Sequence, residues 1–500
     1  MHLLDWLSVG MFFLVMVIIG FWSYKKVSGS GDYFVAGGNL PWWLSGVSHH
    51  VSGYSGAVFV AYAGLAYTHG FSLYIWWALV IFVAVVSGAY IMAPRWARLR
   101  INYNVESPTE YLSLRYNVPT QQLMAWCGVL LKLFDVGAKW AAIGLLLNVF
   151  TGIPIIYGIL ISGIISLVYI TIGGLWADVW TDFAQFVVQL VAGLIMFFVV
   201  LNMMGGMGSI TGIWDRLPDA NSQPFNEPYT FWYVIFFLFV VFLSYNGGTW
   251  NLATRYISSP SGKEAKKSAL FSGILYLIWP LFLFFPMWAA PIILPGLEDP
   301  TRSYGLLAQE LLPAGLVGLV LAALFAATMS MTSSDANTIS AVITRDILPV
   351  ISDRFKSLNQ KESLRIARIA TFTFTFITLI IGIQADNFGG VLGLVISWFG
   401  ALVGPISIPM LFGLFPAFRY SGSKAAISSI VAGLSMFVLT KYFVDVSLAI
   451  EIGSPVITSA IVFIGLGYLN KDKEIKSEIV DLLNAVSTED EEEDKKTIAN

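Results

Sequence analysis

This chain has little charge, a single cysteine and only four histidines. Charged residues make up 12% of its 500 positions and hydrophobic residues 57%, which excludes an ordinary soluble domain. With Cys127 alone, an internal disulfide and a cysteine-built metal site are excluded as well. His49 and His50 are adjacent, and neighbouring residues of a helix point to different sides, which argues against a shared metal ion. The composition is that of an integral membrane protein.

Apolar segments long enough to cross a bilayer recur along the whole chain. The first one lacks a basic region and a small-residue cleavage site, so we expect a retained helix and not a signal peptide. The pattern predicts an all-α integral membrane protein with thirteen transmembrane helices, at residues 3–23, 42–68, 72–94, 121–149, 152–172, 178–204, 230–254, 267–292, 309–344, 364–385, 388–416, 423–442 and 446–469.

The distribution of Lys and Arg predicts the orientation. With the N-terminus outside, all but five of the 28 basic residues fall on the cytoplasmic side. The exceptions are Arg216, Arg302 and Lys441 outside, and Lys132 and Lys139 within the membrane. We therefore expect the C-terminus in the cytoplasm and a multi-pass location in the plasma (inner) membrane. The polar tail, 471–500, carries an acidic run at 489–494 and is expected to be solvated and partly disordered.

Two predicted spans are interrupted by glycine-containing polar segments, SHHVSGYSGA at 48–57 and SYNGGTW at 244–250. They lie five helices apart and in opposite orientation, as the first helices of two inverted repeats would. Unwound backbone at this depth is tolerated only beside a cavity, so unwound segments here would indicate one. The alternative is that the glycines allow two helices to pack closely. We expect a ten-helix core at 31–420 that consists of two repeats, at about 40–205 and 230–418. An extra helix at 1–30 precedes the core, and two further helices at 421–470 follow it.

Polar side chains crowd the helix at 321–346. Ser330, Ser333, Ser334 and Asn337 share one face because their spacing is i, i+3, i+4 and i+7. Such a stripe of neutral oxygens can replace the water shell of a hard cation such as Na⁺. The alternative is a polar face that hydrogen-bonds to a neighbouring helix.

Three ionisable residues form a stripe on the fourth span. Lys132, Asp135 and Lys139 are spaced i, i+3 and i+7, and at mid-depth they must face the interior and pair. Because Asp135 cannot pair ideally with both lysines, we expect a net positive charge that could hold a substrate carboxylate or a sugar hydroxyl. A buried ion-pair lock within the bundle is the alternative.

Five motifs, in this order, resemble those of the sodium:solute symporter family, the group containing sodium/galactose, sodium/proline and sodium/sialic acid symporters. The resemblance runs through nearly the whole chain. It implies one extra N-terminal helix, a LeuT-type five-plus-five inverted-repeat core and further C-terminal helices. The motifs are DYFVAGGNLPWWLSGVS (32–48), SPTEYLSLRY (107–116), YITIGGLWADVWTDFAQ (169–185), TRYISSPSGKEAKKS (254–268) and LFAATMSMTSSDANTIS (324–340).

The resemblance implies a sodium site between the second and ninth helices. Its ligands would be the backbone oxygens of Val51, Tyr54 and Ala327 and the hydroxyl of Ser330. The family usually has a second Ser or Thr where this chain has Met331, and a thioether is a poor ligand for a hard cation. Asp335, four residues on, either supplies the missing oxygen or is a hydrogen-bonded structural acid.

The resemblance also implies a second sodium site, with the carboxylate of Asp182 and the hydroxyls of Ser333 and Ser334, and with Ser330 shared between the sites. Asp182 could instead cap a helix N-terminus. Asp178, four residues earlier, is expected to be a solvated cap.

The family binds substrate at the midplane, among the broken helices and their neighbours. Trp77 and Trp250 occupy positions where sugar and sialic acid relatives often have glutamine, and indole faces pack well against pyranose rings. The residues expected to contact substrate are Ser52, Ser55, Trp76, Trp77, Asp135, Lys139, Tyr245 and Trp250.

Together these patterns predict a sodium-coupled symporter that imports a small polar solute, first of all a sugar or sugar derivative, by alternating access. Na⁺ is the expected coupling ion, and no organic cofactor, nucleic acid or obligate protein partner is implied; the partners are the solute and the lipid bilayer. The alternative is sodium- or proton-coupled symport of an organic anion or amino acid. A membrane sensor is disfavoured because the tail is too short for a folded output module. An enzyme lacks support, since no nucleophile motif or phosphate loop is present.

Overall fold

The computed structural model describes residues 1–388 and 403–488. Within these two ranges the regular elements are helices, and no strand is present. The α-helices of seven residues or more are Leu3–Tyr24 (α1), Trp42–Val51 (α2), Ala61–His69 (α3), Val80–Ile91 (α4), Ala93–Tyr103 (α5), Val118–Thr151 (α6), Ile155–Met203 (α7), Phe231–Leu243 (α8), Asn251–Ile257 (α9), Gly262–Ile293 (α10), Ser303–Leu311 (α11), Leu316–Ala341 (α12), Gln360–Ile383 (α13), Gly404–Phe412 (α14), Ser423–Tyr442 (α15), Leu448–Leu469 (α16) and Ser477–Ser487 (α17).

Nine helices in the described ranges are long and apolar enough to cross a membrane, against thirteen predicted spans. The difference has identifiable causes. The second predicted span is broken into α2 and α3, the fourth (α6) carries three charged residues, and the fifth and sixth run on as the single helix α7. The predicted span at 388–416 lies largely outside the described residues.

Both glycine-containing interruptions lie where the sequence predicts them. Helix α2 ends at Val51 and the next helical turn begins at Gly56, which leaves four unwound residues between them. After α8 the chain makes a π-helical turn, and Gly247 adopts φ 126°, a conformation that a side chain would strain. Trp250 has φ 70° without being glycine, so this break also holds a strained residue.

Helix α7 is broken at Gly174, where φ is 53°. A Cβ atom there would lie 2.5 Å from the side chain of Tyr33, so only glycine fits this contact. The second half of α7 packs along α12, the most enclosed of the nine long apolar helices in the described ranges, in which every residue except Leu316 and Leu319 is buried. These two helices form the centre of the molecule.

The extra N-terminal helix α1 is fixed to α12 by a cap. The carboxylate of Asp5 accepts the backbone N–H groups of Gly315 at 2.7 Å and Gly318 at 3.0 Å, at the beginning of α12. The two backbones approach closely, because a Cβ atom on Gly318 would lie 2.2 Å from Asp5. A side chain of one helix thus satisfies the free N–H groups of another.

The chain after α16 is less solvated than predicted. Residues of α17 form an amphipathic helix that lies against α5, with Leu482, Leu483 and Val486 buried. Arg98 of α5 donates a hydrogen bond to the carbonyl of Val486 at 3.2 Å. This part of the predicted disordered tail is therefore a docked helix, whereas the acidic run at 489–494 lies outside the described residues.

Replacing Asp5 by alanine is expected to remove about 1–2 kcal/mol of stability, because two N–H groups at a helix N-terminus lose a charged acceptor. Asp5→Asn keeps an acceptor and should lose less. The measurement is the midpoint of thermal unfolding in detergent, with Asp219→Ala, an exposed aspartate, as the control. Equal midpoints for Asp5→Ala and the control would contradict the capping role.

Candidate functional site

Two buried carboxylates and one guanidinium lie at the centre of the molecule. Asp178 and Asp182 come from the second half of α7, one turn apart, and Arg255 comes from α9, directly after the second broken segment. All three are fully buried. With the hydroxyls of Ser330, Ser333 and Ser334 of α12, they form what we call the carboxylate centre.

Asp182 joins three helices through its two oxygens. Its Oδ1 accepts the hydroxyl of Ser330 at 2.6 Å. Its Oδ2 accepts the hydroxyls of Ser48 at 2.5 Å and Ser52 at 3.1 Å, and the Nη2 of Arg255 at 3.1 Å. An N-cap role is wrong for this residue, since it lies eight residues after the break at Gly174 and its oxygens contact α2, α9 and α12.

Asp178 is an equal member of the centre. Its Oδ1 accepts the hydroxyl of Ser333 at 2.5 Å, and its Oδ2 accepts Ser334 at 2.9 Å and Arg255 at 2.6 Å. The expectation of a solvated cap is wrong for Asp178. The i−4 spacing from Asp182, which places both on one helix face, was the signal that could have indicated it.

Arg255 was not expected at the centre, because the charge distribution assigns it to the cytoplasmic side. In the structure its Nε donates to Ser48 at 2.8 Å and its Nη2 donates to Ser334 and Ser52 in addition to both carboxylates. Its Nη1 has no hydrogen-bond partner among the described residues. Its position directly after a broken segment was the available signal.

The charges of the carboxylate centre do not balance. Two carboxylates face one guanidinium away from water, so with both aspartates ionised the formal charges sum to minus one. An uncompensated charge in such a place is costly. The surrounding serine hydroxyls are hard oxygen donors, so the residues present fit a monovalent cation that would restore neutrality.

The first predicted sodium site lies beside this centre. Val51 ends α2, and Tyr54 belongs to the unwound segment that follows. The segment and the turn after it both contact α12. The hydroxyl of Ser52 lies 3.4 Å from that of Ser330, and the N–H of Gly56 donates to the hydroxyl of Thr328 at 2.9 Å, next to Ala327. The structure therefore brings the three backbone positions and Ser330 to one region, and their role as ligands stays a prediction.

A second charge network, the Lys–Asp tetrad, joins α6 to α12. Lys132 pairs with Asp135 at 3.1 Å and with Asp335 at 2.6 Å. Lys139 pairs with the same two aspartates, at 2.7 Å and 2.6 Å respectively. The expectation of a net positive charge is wrong, because Asp335 from α12 supplies the second carboxylate and the tetrad is neutral.

Asp335 is consequently fully engaged, with its Oδ1 held by Lys132 and its Oδ2 by Lys139. Met331, one turn earlier, is buried in the same helix. This geometry fits Asp335 as a structural acid better than Asp335 as a replacement sodium ligand.

The residues expected to contact substrate do not all lie together. Trp77 joins an aromatic cluster with Tyr54, Tyr62 and Tyr276, at ring distances of 5.2 to 6.2 Å from the indole. Trp76 touches Tyr62 as well, but it stacks on Tyr229 of the 205–229 connection at 4.9 Å. The cluster lies directly beside the unwound segment that carries Tyr54.

The remaining positions have other surroundings. Ser52 donates a hydrogen bond to Asp182 of the carboxylate centre, and Ser55 is half-buried in the unwound segment. Tyr245 donates to the carbonyl of Gly53 at 2.7 Å and so joins the two broken segments. The indole of Trp250 packs against α6, so closely to Gly128 that a Cβ atom there would overlap the ring. Asp135 and Lys139 belong to the tetrad.

Comparisons with known proteins agree with this architecture. Residues 33–433 match the sodium:solute symporter family. The chain is 26% identical to the sodium/glucose cotransporter of Vibrio parahaemolyticus, over 88% of this chain and 86% of that one. It is 25% identical to the sodium/sialic acid symporter NanT of Aliivibrio fischeri, over 89% of each.

Among solved structures, a Na⁺-coupled sialic acid symporter in a substrate-bound, outward-open state superimposes with a TM-score of 0.83 at 20% identity, over 94% of this chain and 98% of that one. Mhp1, a nucleobase-cation-symport-1 family transporter, superimposes with a TM-score of 0.56 at 15% identity, over 92% and 100%. These likenesses establish a shared fold. With the family match over most of its length, the chain belongs to the sodium:solute symporter family and is a membrane transporter, not an enzyme.

Proposed function

We propose that this protein couples the inward movement of Na⁺ to the uptake of a small neutral polar solute, a sugar or sugar derivative, by alternating access. The observation that carries the proposal is the surplus negative charge of the carboxylate centre. A monovalent cation is the partner that would neutralise it, and the coupled ion would then be needed to complete the transport state.

The proposed sodium ligands are Asp182 and the hydroxyls of Ser330, Ser333 and Ser334, with Asp178 as the second carboxylate. The carbonyls of Val51, Tyr54 and Ala327, with Ser330, would complete or supplement this set from the adjacent unwound segment. Arg255 holds the two carboxylates together against their repulsion and shares them with the ion. Asp335 is left out, because both of its oxygens accept from lysines.

The contacts of the centre suggest how Na⁺ would act on the conformation. Asp182 is bonded to Ser48 of α2 and Ser330 of α12, while Arg255 extends the network to α9. A cation bound here would tie one part of each broken helix to the paired helices α7 and α12. A ligand shifts a conformational equilibrium only as far as it binds one state better than the other. The difference in Na⁺ affinity between the states would arise at the carboxylate centre.

The balance of the tetrad supports a neutral solute. Had Lys132 and Lys139 kept a surplus charge, they would have favoured an organic anion, but two aspartates neutralise them. The aromatic cluster of Tyr54, Tyr62 and Trp77 beside the unwound segment offers ring faces and polar edges of the kind that pack on sugars. Symport of an organic anion or amino acid is therefore the second candidate.

We also propose thirteen spans with the N-terminus outside and the C-terminus in the cytoplasm, in the plasma membrane. The inverted repeats at about 40–205 and 230–418 would place the two broken helices as matched first members. The Lys and Arg distribution supports the orientation. The solute and the lipid bilayer are the proposed partners, with no organic cofactor.

Replacing Asp182 by asparagine removes one charge and makes the remaining Asp178–Arg255 pair neutral. We expect the thermal midpoint of wild-type protein to rise with Na⁺ relative to K⁺, and this rise to disappear in Asp182→Asn. Sodium-dependent uptake should fall at least tenfold, because neutrality no longer requires the ion. The control is Asp215→Asn, an exposed residue with the same chemical change. An unchanged sodium effect in Asp182→Asn would remove the centre from the coupling site.

A thermal-shift screen of neutral sugars, sugar acids and amino acids should find a neutral sugar that stabilises the protein in Na⁺ and not in K⁺. Uptake of that sugar into proteoliposomes, with and without Na⁺ between pH 6 and 8, then identifies the coupling ion. Uptake that follows pH and ignores Na⁺ would mean that a proton neutralises the centre. A hit confined to acids would favour the second candidate.

Lys139→Met should destabilise the protein by roughly 3–5 kcal/mol, because it leaves an uncompensated carboxylate in the tetrad. The double change Lys139→Met and Asp335→Leu keeps the Lys132–Asp135 pair and should recover most of the loss. If the tetrad only holds α6 and α12 together, the double variant also keeps its substrate affinity. Recovered stability with lost affinity would instead assign Lys139 or Asp335 to the substrate site.

A further inference from the structure

A groove of 460 Å³ opens on the side of the molecule between the first half of α7 and the beginning of α13. One wall is a single face of α13, on which Lys361, Arg365 and Arg368 recur at i, i+4 and i+7. The opposite wall carries Thr171 of α7. The groove is separate from the carboxylate centre, the tetrad and the aromatic cluster, and the transport function does not use it.

The positive charge of the groove is not compensated. Lys361, Arg365 and Arg368 make no ion pair with a carboxylate in residues 1–388 or 403–488. The nearest acid along the helix, Glu362, does not line the groove, and its carboxylate accepts the N–H of Asn359 at 3.1 Å in a capping box. Three cations therefore line a groove whose lining contains no acidic residue, and the one aromatic contact among them is that of Arg368 with the ring of Tyr24 at 5.1 Å.

Two buried polar atoms of the groove also have no partner in the described part of the chain. They are the Nε of Arg368 and the hydroxyl of Thr171. Arg368 is itself held in place, because its Nη2 donates to the carbonyl of Ile172 at 3.0 Å. A positioned guanidinium with a free N–H group beside a free hydroxyl is suited to bind the oxygens of a phosphate.

The same face of α13 becomes apolar one turn further on. Ile369, Phe372 and Phe376 are 55%, 48% and 51% exposed. On a membrane-spanning helix such side chains face the acyl chains, so the basic groove lies at the level of the headgroups. In the proposed orientation this is the cytoplasmic leaflet, where anionic lipids attract basic residues.

We propose that this groove binds an anionic phospholipid. Its phosphate is held by Lys361, Arg365 and Arg368, and its acyl chain runs along Ile369 and Phe372. A soluble phosphate would satisfy the cations but would leave the adjoining apolar surface unused, which is why a lipid is the better match. The placement in the cytoplasmic leaflet rests on the proposed orientation, whereas lipid binding does not depend on transport.

The position of the groove gives the lipid a connection to the ion site. Thr171 lies three residues before Gly174, where α7 breaks, and Asp178 and Asp182 follow on the other side of the break. A phosphate that binds Thr171 and Arg368 together would fix the first half of α7 against α13 at this joint. The bound lipid thereby stabilises the helix that carries the carboxylates.

The test is native mass spectrometry and thermal unfolding of the full chain in detergent, in the absence of Na⁺ and solute. Phosphatidylglycerol should bind and raise the midpoint, and phosphatidylcholine with the same acyl chains should do neither. Lys361→Gln with Arg365→Gln should weaken phosphatidylglycerol binding about thirtyfold, from the loss of two charges near an anionic lipid. The control pair, Arg354→Gln with Lys356→Gln, removes the same charges from the exposed segment Asp353–Ser357 and should change binding less than threefold.

Equal binding of the two lipids would overturn the proposal. So would an equal loss in the control pair, which would indicate a diffuse charge effect and no site. Glycerol 1-phosphate and inorganic phosphate form the last arm, and stabilisation by either to the same extent as by phosphatidylglycerol would assign the groove to a soluble anion. None of these readouts depends on sodium or solute, so they are independent of the proposed transport activity.

Discussion

The balance of buried charge around α12 is the constraint on which the rest of this structure depends. In a low-dielectric interior each ionised group needs a partner of opposite charge at hydrogen-bonding distance, or the fold loses several kcal/mol. Helix α12 meets two charge networks, the carboxylate centre with α7 and the tetrad with α6. The two networks differ in formal charge. The tetrad pairs two lysines with two aspartates and is neutral, whereas the centre pairs two aspartates with one arginine, which is why we propose the centre as the cation site.

The same reasoning explains why the broken helices converge on this place. The unwound residues after α2 and the turn after α8 cannot satisfy their backbone groups within a helix, so they depend on neighbours. Tyr245 bonds to the carbonyl of Gly53, and Asn251 donates to the carbonyl of Ser52 at 3.2 Å. Residues of the second break and of the helix after it thus supply donors to the carbonyls of the first break, and the carboxylate centre lies where they meet.

Elements outside the core hold its helices from the periphery. Asp5 caps α12 from α1, α17 covers α5, and Arg368 bonds to the carbonyl of Ile172 close to the break in α7. None of these contacts involves a residue of the carboxylate centre. The contacts of Asp5 and Arg368 fix α12 and α7, which carry members of the centre, and α17 covers α5, which packs against α9.

The sequence by itself determined the class of fold, the positions of the two breaks and four members of the centre. Hydrophobic length, glycine position and helical spacing are local properties, so Asp182, Ser330, Ser333 and Ser334 could be predicted from them with the family resemblance. What local patterns could not show is which charges meet across helices. Asp178 and Arg255 are part of the centre although the sequence did not predict them there. Asp335, which was predicted as a sodium ligand, pairs with the two lysines of α6 instead. Only the tertiary structure decided this, because charge balance is a sum over side chains that are distant in the sequence and become neighbours when the helices pack.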